Sequence, residues 1–121
     1  STGRRGAEAQ YFIAKILNER EEYQASLDAC FALTDKFASY EYWVVKAFIL
    51  MSDNYVGLDN LFQAKATLES ILDNYEGDQS LIDEAQEKYD AILIQEGENS
   101  RIIPDSLMTP NDSLIPIEPN E

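Results

Sequence analysis

The sequence predicts an all-α fold, an αα-solenoid of two helix pairs followed by a capping helix and an extended C-terminal tail. Three observations carry that expectation. All four prolines (Pro104, Pro110, Pro116, Pro119) lie in the last eighteen residues, so no proline interrupts the first hundred. Within that stretch, large apolar residues recur at helical spacing with small ones between them: Phe48, Met51, Tyr55, Leu61, Leu68, Ile71 and Tyr75 flank Ser52 and Ala64. The pattern also repeats. Gln10, Ile13, Ala14, Leu17, Ser26, Cys30, Leu33 and Phe37 fall 38 positions before Phe48, Met51, Ser52, Tyr55, Ala64, Leu68, Ile71 and Tyr75. A period of that size marks stacked supersecondary units, none of which buries its apolar side alone.

Taken in order, residues 1–6 (STGRRG) read as a flexible lead-in. A first helix is expected from about Ala7 to Arg20, its apolar stripe formed by Ile13, Ala14, Ile16 and Leu17. The charged run Glu19 to Glu22 turns the chain into a second helix, about Tyr23 to Phe37, with Ser26, Cys30, Leu33 and Phe37 on one side. The segment ASYEYWVVKA before Phe48 adds a turn to the start of the third helix, near Ser39. The turn Gly57-Leu58-Asp59-Asn60 then leads to a fourth helix, with Asn60 and Gln63 placed as a capping box. Gly77 suits a left-handed helix stop. A fifth helix, about Ser80 to Gln95, begins with a second capping box at Ser80 and Asp83. It sets Ile82, Ala85, Gln86 and Tyr89 34 positions after Phe48, Met51, Ser52 and Tyr55. Having no second half, it reads as a cap whose polar side carries Asp83, Glu84, Glu87, Lys88 and Asp90. Gly97 should end it, giving a repeat domain over residues 7–96 and a tail over 97–121.

The series Phe48-x-x-Met51-Ser52-x-x-Tyr55, then Ala64-x-x-x-Leu68, resembles the signature of the tetratricopeptide repeat (TPR) family. The stretches GAEAQYFIAKIL, YWVVKAFILMSDNYV and LFQAKATLESILDNYEGD are similar to the C-terminal end of envelope-associated bacterial TPR proteins. The resemblance implies a superhelix whose first helices line a concave face that takes protein or peptide segments, in a bacterial periplasm or cell envelope. By register that face would be lined by Tyr11, Lys15, Asn18, Lys46, Ile49, Asp53 and Val56. A carboxylate clamp of the kind some family members use is not implied, because only Lys15 of Tyr11, Lys15, Ile49 and Asp53 is a cation.

Charge and chemistry narrow the function classes. The formal net charge is −14, which repels nucleic-acid phosphates and anionic membrane headgroups. No stretch has the length of an apolar membrane span. The chain has no histidine, so Ser-His-Asp and Cys-His arrangements cannot be assembled from it. Cys30, the one cysteine, falls on the inward side of its helix and reads as a packed thiol. The Asp83, Glu84 and Glu87 group lacks a calcium-wrapping loop, and no glycine-rich phosphate loop occurs. No cofactor is implied.

The expected function is therefore a non-catalytic scaffold that binds a protein or peptide. A structural end cap of a longer TPR scaffold is the alternative, and a small acidic enzyme or cation-binding protein the remote one. The aromatics Tyr11, Tyr40, Tyr42 and Trp43 are candidate interface anchors or simple packing for the added turn. In the tail, the apolar side chains of Ile102, Ile103, Leu107 and Met108 are expected to dock in extended form on this chain or on a neighbouring copy.

Overall fold

Five α-helices form two antiparallel pairs and a single closing helix in the computed structural model, which describes residues 2–102, with side chains as far as residue 100. They are α1 (Thr2–Glu19), α2 (Tyr23–Lys36), α3 (Glu41–Gly57), α4 (Leu61–Asn74) and α5 (Gln79–Ile102). No strand occurs among the described residues.

The 38-residue step is visible in the backbone itself. Shifted by 38, α2 coincides with α4 at both ends, and the end of α1 coincides with the end of α3. The turns between partners match as well. Among the described residues, Glu21 and Asp59, 38 apart, are the two non-glycine residues with positive φ, both at 61°. The amide of Glu22 donates to the Leu17 carbonyl at 2.9 Å, as that of Asn60 does to Tyr55 at 2.8 Å. Asn60 also caps α4 as expected, its side chain accepting from the Gln63 amide at 3.1 Å.

Four boundaries differ from the sequence reading. Residues 2–6 are the first turns of α1, not a lead-in. The added turn assigned to α3 exists in α1 too, and Gly3 and Gly6 make room for it. A Cβ at Gly6 would sit 2.8 Å from the Phe37 ring, and one at Gly3 would strike Tyr40. Gly77 has no positive φ; α4 stops at Tyr75, which is extended at φ −91°, ψ 128°. The start of α5 is held by Asp78, whose carboxylate accepts from the Leu81 amide at 3.2 Å, rather than by Ser80. That helix then passes through Gly97 to Ile102, so the stretch 97–102 is helical and not extended. One glycine in an exposed turn costs about 1 kcal/mol, which a 24-residue helix tolerates. The docking expected of Ile103, Leu107 and Met108 lies outside the described residues.

Two apolar clusters hold the helices together. Tyr11, Ala14, Leu27, Cys30 and Leu33 meet Ala47, Leu50 and Met51, sealing the first pair against one side of α3. Val45 and Ile49 on its other side meet Ala64, Leu68, Ile71, Leu81, Ala85 and Ile92, sealing α4 and α5. Leu33, Leu50 and Leu68 are fully buried, each contributing about 1.5–3 kcal/mol. The small residues sit at the seams: Ala14, Ser26, Ser52 and Ala64 are at most 1% exposed. Gln10, where the repeat pattern wants bulk, donates instead from its amide to the Ala29 carbonyl at 3.0 Å. The apolar stripe expected of α1 is only partly right. Ala14 is buried, but Ile13 and Ile16 are about half exposed, as Gln86 is exposed on α5.

Candidate functional site

Alternate helices share a side. α1 touches α3 and α3 touches α5, whereas α2 and α4, on the other side, make no contact with each other. The candidate surface is therefore the one built by α1, α3 and α5.

Its α1–α3 half rests on Tyr11, 8% exposed, which stacks obliquely on Trp43 with ring centroids 5.7 Å apart. The Lys46 ammonium lies 4.9 Å from the centre of the Tyr11 ring, a cation–π contact. Burial, with the nearby carboxylates of Glu84 and Asp53 adding to it, pushes the Tyr11 hydroxyl up to about 12. Phe12 and Tyr42 extend the aromatic group edge-on to Trp43, at 6.5 and 5.2 Å. Lys15 is half-buried and has no ion-pair or hydrogen-bond partner among the described residues.

A buried polar chain ties the two pairs together beneath this surface. The Asn18 amide donates to Asn54 Oδ1 at 2.9 Å, and Asn54 Nδ2 donates to Ser26 Oγ at 2.8 Å. Ser26 in turn donates to the Ala14 carbonyl at 2.7 Å. Asn54 is wholly buried, so its amide is satisfied by protein groups alone.

The α3–α5 half centres on Lys88. Its ammonium donates to both oxygens of Asp53 at 3.0 and 3.2 Å, with Glu84 4.0 Å away. A cleft of about 250 Å³ opens beside this pair, lined by Ser52, Asp53, Val56, Lys88, Ile92 and Gln95 among others.

The seven residues singled out in the sequence thus divide. Lys15, Lys46, Asp53 and Val56 are partly exposed along this surface. Ile49, 4% exposed, is not available to a partner: it fills the α3–α5 seam as Tyr11, its equivalent 38 residues earlier, fills the seam against α3. Asn18 is half-buried and committed to Asn54. Sequence reasoning missed Asn54, and it put Glu84 and Lys88 on the polar side of the capping helix rather than on this surface. A lone amide among Met51, Ser52 and Tyr55 was the available sign of the first. The α5 residues follow from the 34-residue offset only if it is relaxed by one position.

Cys30 is fully buried and burial pushes its thiol up to about 12, which keeps it protonated and unreactive at neutral pH. Among the described residues, no group of three or more acidic or cysteine side chains is placed to hold a metal ion, and no helix is long and apolar enough to cross a membrane. Compared with known proteins, the chain matches no family model, no curated protein and no solved structure.

Proposed function

We propose that this chain is a non-catalytic interaction scaffold, a TPR-like αα-solenoid that takes an extended protein or peptide segment across α1, α3 and α5. The observation that carries the reading is the sharing of one surface by alternate helices while α2 and α4 stand apart. Helix pairs stacked in this way curve toward the side where neighbours are closest, which makes that side the concave one. The surface also has the right chemistry for a mixed peptide. Lys15 and Lys46 offer cations to carboxylates or carbonyls, Asp53 offers an acceptor, and the cleft beside Val56 and Ile92 accepts one apolar side chain. Its floor is fixed by the Asn18–Asn54–Ser26 chain and by Tyr11, so little ordering entropy is lost when a segment binds.

The experiment is a display selection of peptides against the full chain, followed by calorimetric titration of a selected peptide. Lys15→Ala, Lys46→Ala and Asp53→Ala should each weaken binding by about tenfold, or about 1.4 kcal/mol. Gln24→Ala on α2 and Thr67→Ala on α4 should leave it unchanged. A failure to select any peptide, or weakening by the α2 and α4 variants instead, would favour a structural end cap without a ligand of its own.

A further inference from the structure

The 38-residue step marks a second surface, which meets the peptide face at Phe12. Ala47, Leu50, Met51 and Asn54 of α3 are between 0% and 6% exposed, and the side chains that cover them come from α1 and α2. Their equivalents on α1, 38 positions earlier, are Ala9, Phe12, Ile13 and Ile16. These have the same spacing and are all apolar, yet Phe12, Ile13 and Ile16 are 49%, 51% and 53% exposed. α1 is thus apolar on two sides: inward through Ala7, Tyr11 and Ala14, and outward through this stripe. An ordinary surface helix has one apolar stripe, and three large apolar side chains in adjacent turns form a contiguous exposed patch.

We infer that the outer side of α1 is a docking surface for a further antiparallel helix pair, seated on α1 as α1 and α2 are seated on α3. The occupant follows from continuity with that internal interface, because the stripe reproduces the side of α3 that such a pair covers. One substitution refines its chemistry. Asn54, which bonds Asn18 and Ser26, is replaced in the stripe by Ile16. An aliphatic side chain at the incoming pair's position equivalent to Asn18 suits this site better than an amide, because Ile16 offers no acceptor where Asn54 does.

The test lengthens the chain by one step, placing a copy of residues 2–39 carrying Asn18→Leu directly ahead of Thr2. The longer chain should unfold in urea as one transition, with its midpoint raised by about 1 M over the 121-residue chain. Ile13→Glu with Ile16→Glu in the original copy should abolish that gain while leaving the 121-residue chain's midpoint unchanged. A separate early transition for the added pair would overturn the inference, as would a gain that survives the double substitution. Sedimentation of the 121-residue chain supplies the independent check. A dimer dispersed by the same double substitution would make a second copy the occupant and defeat the assignment. Amide protection over Phe12 to Ile16 that vanishes on removing residues 103–121 would do so in favour of the chain's own tail.

Discussion

Replacing Asn54 with alanine strikes the joint between the two helix pairs. The side chain is 0% exposed, accepts from Asn18 at 2.9 Å and donates to Ser26 at 2.8 Å. Removing the amide forfeits two hydrogen bonds of about 1 kcal/mol each. Ser26 keeps its bond to the Ala14 carbonyl, and the half-buried Asn18 can turn to water, so neither donor is stranded. The vacated volume in a fully packed site adds about 1 kcal/mol more. The total loss expected is about 2–4 kcal/mol, read from urea unfolding followed by circular dichroism with an unchanged slope. Asn18→Ala should cost less, and the two together less than their sum, with a coupling of about 1 kcal/mol. A loss under about 0.5 kcal/mol for Asn54→Ala, the range of ordinary surface substitutions, would refute the linking role, as would strict additivity with Asn18→Ala.

Ala64→Leu should destabilise by about 1–3 kcal/mol through overpacking at the α3–α4 seam, measured in the same unfolding assay. Glu21→Gly should do the opposite, raising stability by about 0.5–1 kcal/mol, because the left-handed backbone at φ 61° strains a glutamate and not a glycine. Cys30 should resist a maleimide until denaturant is added; rapid labelling of the native chain would contradict its burial. Stability should also fall at alkaline pH. Cys30 and Tyr11 hold their protons to about 12 in the folded chain. The unfolded chain releases them from about 8.5 for the thiol and about 10 for the phenol, so the stabilisation present below that range is lost as pH rises toward 12. The Asp53–Lys88 pair, about one-third exposed on each side, should contribute under about 1 kcal/mol in a double-mutant cycle and weaken with salt.

The repeat was legible because both copies keep small residues where backbones meet: Ala14 and Ser26, then Ser52 and Ala64, are buried as their spacing required. The same comparison, carried eight residues back from Gln10, would have shown that Thr2 is equivalent to Tyr40 and that α1 starts there. Two glycines and two arginines looked like a linker, whereas Gly3 and Gly6 are the places where Tyr40 and Phe37 lie against the helix. Ile13 and Ile16 were read as inward because hydrophobicity says which side chains prefer cover, not which helix supplies it. Ile49 shows the converse: register located it on the α1–α3–α5 side, but its burial depends on how closely α5 approaches, which no spacing within α3 encodes. The Asp53–Lys88 contact, 35 residues apart in sequence, is likewise set by the pitch of α5 against α3.

The most direct measurement is an amide-shift map of the full chain titrated with a selected peptide. The proposal predicts shifts gathered on Lys15, Lys46, Asp53, Val56 and Lys88, with the solvent sides of α2 and α4 silent. Shifts confined to α2 and α4, or to Ile13 and Ile16 on the outer stripe of α1, would contradict it.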